Sequence, residues 1–229
     1  MKNVYMLKYV VPAIFACLLI ILPASSYSAE QKDYRGTKSI GAGIYYIAPA
    51  NSVLDGVDLV FDESAAGGVN FAYYPMSSLS VEVSTFTYET SFKVGADDRF
   101  EEYGSFHQTA LNLSALYHED TEYLPNFRLH IGAGLGYYFN QMERNKGSDG
   151  KISDFFALNR EITEIDNGMG AHGVLGFNYS YSDKLLFNGN VMISATEAKV
   201  SIRYPDSSIR ETTLGINAII FGAGLNYSF

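Results

Sequence analysis

The sequence has one cysteine, no tryptophan and fewer basic than acidic residues. The cysteine, Cys17, lies in an N-terminal apolar run that we expect to be removed, so disulfides, thiol catalysis and cysteine metal sites are excluded from the rest of the chain. The net charge of -9 excludes nucleic acid as a partner, because nucleic-acid binding depends on lysine and arginine that neutralise phosphates.

The N-terminal residues have the features of a secretory signal peptide. Lys2 and Lys8 supply positive charge, residues 10–22 form an apolar run, and small residues follow at 24–29. The run is well short of the roughly 20 residues that a membrane-spanning helix needs. We therefore expect residues 1–28 to be a cleaved signal peptide, with cleavage after Ala29 as the second choice, and residues 29–229 to be the mature protein.

Cys17 leaves one alternative open, a lipid-modified N-terminus. The residues around it loosely resemble the signal of a lipoprotein, but apolar residues continue as far as Leu22. A lipidated cysteine should instead begin a polar chain. Cleavage near residue 28 is therefore favoured.

Apolar runs of helical length are also lacking in the rest of the chain, although aromatic residues make up 14% of it. Any membrane span must therefore be a β-strand. Period-two alternation of apolar residues marks eight segments of about ten residues. The predicted strands are residues 38–48, 67–74, 79–88, 105–118, 127–139, 168–180, 185–196 and 216–229.

The fifth predicted strand shows best which way its two faces point. Phe127, Leu129, Ile131 and Leu135 share one face, whereas the other face consists mainly of glycines and polar residues. So many glycines are unsuited to a solvated exterior, so the apolar face is predicted to contact lipid. The predicted strands also contain almost no charged residues, as expected of a barrel wall.

The connections between the predicted strands alternate between long and short. Residues 49–66, 89–104, 140–167 and 197–215 are long, and residues 75–78, 119–126 and 181–184 are short. Outer-membrane barrels have short periplasmic turns and long external loops. The predicted fold is thus all-β: an eight-stranded antiparallel transmembrane barrel, closed because an open sheet edge is unstable in hydrocarbon. Its lumen is nearly filled or holds one small ligand.

Few charged or titratable residues point into this lumen. Glu82 and Arg128 both face inward near periplasmic turns, and we predict a buried pair between them, since an unpaired buried charge is strongly unfavourable. A role in gating or proton transfer is the alternative. His118 and His130 lie near the same level and are interpreted as structural lumen residues, because no third ligand supports a metal site. We expect no metal and no cofactor.

The external connections contain apolar residues that could line a hydrophobic mouth. The candidates are Leu54, Phe61, Phe92, Phe100, Phe155 and Phe156. An equally supported interpretation is that these residues pack the loops against each other or rest at the lipid interface. The sequence does not decide between the two.

The chain ends on three residues of one strand face, Leu225, Tyr227 and Phe229. This pattern is typical of the terminal signal that barrel-assembly machinery recognises, and we expect that machinery as a partner. The alternative is a final lipid-facing strand with an aromatic residue at the interface.

Several motifs together resemble those of the outer membrane protein W (OmpW) family. They are GIYYIAPAN at 43–51, LSVEV at 79–83, Tyr117-His118 leading to Phe127-Arg128, GAGLG at 132–136, GFNY at 176–179, Asp183 before LLFN at 185–188, and FGAGLNYSF at 221–229. Their order and spacing cover most of the mature chain. Departures are the absence of tryptophan, Lys184 and Leu185 where Asp-Asn-Trp is usual, and Leu129 in place of a proline.

The resemblance implies a narrow channel in the outer membrane of a Gram-negative bacterium that admits small hydrophobic molecules. Lipid, lipopolysaccharide and a small hydrophobic ligand are the partners it implies. The alternative is a non-transporting surface protein of the OmpX or Ail type. Inward glycines at 132, 134, 136, 222 and 224 thin the wall and favour a passage. No histidine precedes a serine by two residues and no Asp-x-His occurs, so we expect no enzyme.

Overall fold

The computed structural model describes residues 33–54, 57–96, 99–121, 124, 126–144 and 161–229. These residues fall in one compact unit, Lys32–Phe229, built from strands and turns. No helix in these ranges has the length and apolar character needed to cross a membrane. The predicted signal peptide at 1–28 lies outside the described residues and stays a prediction.

Twelve strands follow one another along the described ranges. They are β1 (Lys38–Pro49), β2 (Ser52–Leu54), β3 (Val57–Phe61), β4 (Ser64–Met76), β5 (Leu79–Ala96), β6 (Arg99–Asp120), β7 (Phe127–Arg144), β8 (Glu161–Ile165), β9 (Gly168–Ser180), β10 (Leu185–Arg203), β11 (Ile209–Gly215) and β12 (Ala218–Ser228). Eight of them correspond to the strands predicted from alternation.

Those eight strands form a closed antiparallel ring in the order β1, β4, β5, β6, β7, β9, β10, β12. The ring closes where β12 pairs with β1, from Ser39 opposite Ser228 to Pro49 opposite Ala218. Closure gives every wall strand two hydrogen-bonded neighbours, which is the condition for a sheet to be stable in hydrocarbon. The prediction of an eight-stranded barrel is confirmed.

The two faces of the wall differ as the alternation predicted. On β7, Leu129, Ile131 and Leu135 are exposed on the outer surface, whereas Arg128 and His130 are buried inside. The same division applies to β12, where Ile219 is exposed and Ile220 is buried. Because the exposed face is apolar, it is a surface for lipid and not for water.

In their described residues the long connections are largely strand, and their prediction as loops was wrong there. β5, β6, β7 and β10 continue well past their predicted ends, and four short strands pair around this extension. β2 pairs with β3 and β3 with β5, while β8 and β11 both pair with β10. The error arose because these segments contain many charges, which are excluded from a lipid-facing wall but are compatible with a strand face in water.

The short turns lie at the opposite end of the ring from this extension. Ser77 and Ser78 link β4 to β5, and residues 181–184 link β9 to β10. Both ends of the barrel sequence are there too, since Lys38 and Phe229 exchange backbone hydrogen bonds. This is the periplasmic end by the usual arrangement of such barrels, and the extension is external.

Candidate functional site: the barrel interior

The interior has two regions of different chemistry. Within the membrane ring the inward side chains are mixed: asparagines on β4, β6, β9 and β12 share the lumen with a buried apolar cluster that includes Ile47, Phe86 and Ile220. Within the external extension they are almost entirely apolar. A solute that entered from outside would meet the apolar region first and the polar region second.

The polar region is built by side chains that fill the space above glycines. Gly41 lies between Asn70 and Asn226 in the ladder, and both amides reach across it. A Cβ at Gly41 would lie 1.6 Å from Asn226 Oδ1 and 2.5 Å from Asn70 Oδ1. The glycine is therefore required because the neighbouring amides occupy its side-chain space.

Other inward glycines repeat this arrangement with aromatic side chains. A Cβ at Gly134 would lie 2.5 Å from His172 Nε2, and a Cβ at Gly222 would lie 2.8 Å from the Tyr45 ring. We had expected these glycines to thin the wall and open a passage, and this expectation was wrong. At Gly41 and Gly222 the space is occupied by larger side chains, and at Gly132, Gly134 and Gly224 the nearest atom is a backbone carbonyl of the adjacent strand, so the lumen is densely filled beside the glycines.

A small cavity of about 30 Å³ remains in the polar region. It has room for water-sized occupants but is far below the roughly 300 to 1,000 Å³ of pockets that hold small organic ligands. Its lining is Tyr45, Asn70, Tyr74, Ser80, Glu82, Ser84, Phe86, Leu116, His118, His130, Val174, Asn178, Asn188, Asn190, Met192 and Asn226. Glu82 is the only acidic residue among them.

Glu82 and Arg128 do not form the predicted pair. Asn70 Nδ2 donates to Glu82 Oε2 at 3.0 Å, and Arg128 Nε lies 2.6 Å from Asp120 Oδ1. β6 extends to Asp120 and places it directly opposite Arg128, whereas Glu82 is opposite Ala72 and Ser114. The prediction counted residues from the turns and ignored the stagger between tilted strands, which separates the two charges.

The two charged sites should respond differently to neutralisation. Asp120→Asn leaves the buried Arg128 without its carboxylate, whereas Glu82→Gln keeps a hydrogen-bonding group beside Asn70. In double-mutant cycles of unfolding in lipid vesicles, we expect a coupling of about 1 kcal/mol or more between Arg128 and Asp120, and no measurable coupling between Arg128 and Glu82. A larger coupling for the second pair would contradict the geometry.

The lumen histidines have serine partners. His118 Nε2 lies 2.8 Å from Ser80 Oγ, and His172 Nε2 lies 2.8 Å from Ser114 Oγ. The rings of His118 and His130 face each other with centroids 5.5 Å apart. Across the described ranges, no three His, Cys, Asp or Glu residues are grouped as a metal site requires. His118 and His172 are thus hydrogen-bonded within the lumen, whereas His130 packs against the His118 ring and its buried Nδ1 has no hydrogen-bond partner among the residues that the structure describes.

A residue that the sequence analysis missed closes the periplasmic end. Tyr34 precedes β1, is only 3% exposed, and packs against Tyr74 with ring centroids 5.6 Å apart. The Arg128 guanidinium lies 4.3 Å from its ring centroid. The sequence signal was available in Gly36, two residues after Tyr34, since glycine in a short polar segment marks a turn.

The apolar external region contains part of the predicted mouth. Leu54, Phe61 and Phe92 are buried in one cluster, which we call the external cluster. Its members are Leu54, Leu59, Phe61, Phe92, Val94, Tyr103, Phe106, Ala198, Val200, Ile202, Leu214 and Ile216. Phe100 is 41% exposed and lies outside the external cluster. Phe155 and Phe156 lie outside the described residues.

The C-terminal residues Leu225, Tyr227 and Phe229 all point outward from β12 and its end. They lie beside β1, with Leu225 opposite Ala42 and Tyr227 opposite Ile40. β12 is therefore the strand that closes the ring against β1.

One protein family matches most of this sequence. The sequence profile of the OmpW family matches residues 40–229, which is most of the chain. This chain belongs to the OmpW family. As an OmpW-family barrel, it lies in the outer membrane of a Gram-negative bacterium. Comparison with curated protein sequences finds no match.

Solved structures agree with the OmpW-family fold. The outer membrane protein OprG from Pseudomonas aeruginosa superposes with a TM-score of 0.68 at 19% identity, covering 87% of this chain and 98% of OprG. The outer membrane protein AlkL, solved in lipid bilayers, superposes with a TM-score of 0.56 at 15% identity, covering 91% of this chain and 95% of AlkL. OmpW of E. coli superposes with a TM-score of 0.54 at 19% identity, covering 85% of this chain and 98% of OmpW. At such identities the likeness establishes the fold alone.

Proposed function

We propose that this OmpW-family barrel admits small hydrophobic molecules across the outer membrane, with the external cluster as the site that receives them. The observation that carries the proposal is the apolar interior of a strand extension whose outer face is charged. Lys93, Glu89 and Glu102 are on the strands whose buried residues include Phe92, Val94 and Tyr103. An apolar interior above the membrane offers a hydrophobic solute a site that is shielded from water.

The external cluster belongs to two sides of the extension, so a solute could separate them. One side consists of β2, β3, β5 and β6, and the other of β10 and β11. Where β2 approaches β11, the Ser52 hydroxyl donates to the Gly215 carbonyl, and in the described ranges no strand ladder joins the two. Apart from that bond, the Ala50 N to Asn217 O bond and the Ile162 N to Tyr103 hydroxyl bond, the external cluster joins these sides by side-chain packing. Packing can be exchanged for a bound apolar molecule.

The polar lumen sets a limit on the route. Its cavity of about 30 Å³ is too small for an organic solute, and its asparagines and histidines would have to give up hydrogen bonds to an apolar one. A molecule held in the external cluster therefore does not continue through the lumen of this conformation. Release of the solute requires an opening at the periplasmic end of the lumen or between two wall strands.

Uptake into proteoliposomes tests the proposal. The outer leaflet should contain lipopolysaccharide, through which hydrophobic compounds diffuse slowly, and hydrophobic and polar solutes of equal size should be compared. We expect selective uptake of the hydrophobic solute, reduced about tenfold by Phe92→Asn, which places a polar group in the external cluster. Phe100→Asn is the matched control, since Phe100 is exposed outside the external cluster.

Folding of each variant is checked by the shift in gel mobility on heating. Equal uptake by Phe92→Asn, Phe100→Asn and the unsubstituted barrel, all folded, would remove the external cluster from the route. Uptake of neither solute by any of them would contradict the transport proposal itself.

A second candidate is a non-transporting surface protein, and the filled lumen favours it. Long inward polar side chains such as Gln108, Asn140 and His172 are what a plugged barrel requires. This candidate expects no uptake of either solute, together with binding of a host or envelope component by the external strands. Catalysis forms no part of either candidate.

Assembly and envelope contacts belong to the same proposal. We assign the outward residues Leu225, Tyr227 and Phe229 to recognition by barrel-assembly machinery, because they lie on the strand that closes the ring. Lipopolysaccharide is the expected neighbour of the apolar outer face at its external end.

A further inference from the structure

We propose that residues 33–37, the floor segment, form a removable seal that closes the lumen at its periplasmic end. The proposal does not depend on transport of hydrophobic molecules. It rests on how the segment is folded, what it spans and how it is attached.

The floor segment is folded back by a tight turn. Thr37 N donates to Tyr34 O at 2.9 Å, and Gly36 has a φ of 78°. A positive φ at the third residue is the feature of a type II turn, which favours glycine there. A Cβ at Gly36 would meet nothing within 4 Å. Gly36 is therefore required for backbone conformation and not for space.

The turn directs the Tyr34 side chain across the barrel. Tyr34 N donates to Ser77 Oγ at 2.9 Å, beside the end of β4, and the Tyr34 hydroxyl lies 3.0 Å from Ser180 Oγ at the end of β9. β4 and β9 are on opposite sides of the eight-stranded ring. One side chain thus bridges the periplasmic opening.

A buried cation holds the bridge from the lumen side. Arg128 lies 4.3 Å from the Tyr34 ring centroid, and Arg128 Nη2 donates to Ser77 O at 2.6 Å. Asp120 fixes the same guanidinium. A guanidinium is attracted to the electron-rich face of an aromatic ring, so this contact stabilises the position of Tyr34. Asp120 therefore neutralises the buried charge of Arg128 and also holds the guanidinium against Tyr34.

The attachment of the floor segment differs from that of the wall. Its backbone bonds to the barrel are few, from Gly36 N to Tyr74 O and from Tyr74 N to Thr37 O. Asp33 adds a side-chain bond from Ser77 Oγ. The bond from Tyr74 N to Thr37 O continues the β1–β4 register by one residue pair, whereas residues 33–36 lie outside that register, so residues 33–36 can detach while the barrel stays closed. Such weakly attached segments open at low free-energy cost.

Access of a thiol reagent to the lumen tests the seal. Ser84 lines the polar cavity and is buried, and no cysteine follows Cys17 in the chain. Ser84→Cys in the refolded barrel is labelled in detergent micelles with silver ions, which fit a water-sized cavity, and the thiols that remain free are counted with a maleimide after unfolding. We expect Tyr34→Ala and Gly36→Ala each to raise the labelling rate about tenfold, because opening of the floor controls access.

Three controls make the result specific. Arg35→Ala removes an exposed side chain of the same turn and should leave the rate unchanged. Tyr34→Phe is the graded control: it keeps the ring over Arg128 but loses the hydroxyl contact with Ser180, so its rate should lie between those of the intact floor and Tyr34→Ala. Phe100→Cys reports access at the external end, and its labelling should not respond to any floor variant.

A covalent lock covers the case in which a variant misfolds. Asp33→Cys with Ser77→Cys replaces the 2.9 Å contact between those side chains. Its oxidation should return the Gly36→Ala background to slow labelling of Ser84→Cys, and reduction should restore fast labelling. Peptide mass spectrometry reads position 84 alone, because the two reduced thiols of the lock also react. Equal rates for Tyr34→Ala, Gly36→Ala and the intact floor, or no effect of the lock, would overturn the proposal.

Discussion

Replacing Gly132 by alanine should lower the free energy of unfolding of the barrel by about 3 kcal/mol, at the upper end of what overpacking costs. A Cβ at Gly132 would lie 2.1 Å from Ala115 O and 2.9 Å from Leu116 Cα. Both atoms belong to the backbone of β6, so relief requires the β6–β7 ladder to shift. Urea titration in lipid vesicles, followed by tyrosine fluorescence and gel mobility, measures the change.

Gly173→Ala is the matched control for this prediction. Gly173 lies on β9 opposite Ala133, one residue along β7 from Gly132, but faces outward, and the nearest atom to its added Cβ is Gly132 O at 4.0 Å. The alanine should leave stability nearly unchanged or raise it slightly, since alanine restricts the unfolded chain more than glycine does. Equal destabilisation by both alanines would show that the inward glycines are not required for packing.

Replacing Leu135 by arginine should destabilise the barrel by about 2 to 4 kcal/mol, the cost of a basic side chain near the middle of the bilayer. Leu135 is 64% exposed on the outer face of β7, in the central part of the strand segment that alternates between lipid and lumen. The cost arises because lipid cannot solvate the guanidinium, which must reach the headgroups or draw water inward. Reversible unfolding in vesicles measures it.

Leu129→Arg supplies the comparison on the same face. Leu129 lies near the periplasmic end of β7, where arginine can reach the headgroups and the expected cost is about 0 to 1 kcal/mol. Similar effects at both positions would contradict the assignment of this face to lipid. An opposite order would contradict the placement of the membrane along β7.

The wall of the barrel was predictable because its outer face contacts lipid and its inner face the polar lumen, so apolar and polar or small residues alternate along each strand. On β7 and β12 the alternation identified both the strand and its outward face. The external extension was not predictable in the same way. Lys93 and Glu102 belong to strands there. A strand with water on its outer face tolerates any polar residue, so its charges resemble those of a loop.

The lumen was predicted only as far as residue type. Glu82, Arg128, His118 and His130 were identified as inward residues, yet their partners were not. Arg128 contacts Asp120 across one ladder and Tyr34 across the opening, while Glu82 accepts a bond from Asn70. The strand stagger and a turn before the first strand set these contacts, and alternation within a strand contains information on neither.

By itself the sequence determined the strand pattern, the face that contacts lipid, the closure into eight strands and the family, because each follows from local periodicity, solvent chemistry and motif order. Only the tertiary structure decided what the inward glycines do, which charges meet, how the external cluster is assembled and how Tyr34 closes the floor. Those features depend on residues far apart in the chain, brought together by the stagger of eight tilted strands around a lumen too narrow to leave space unfilled.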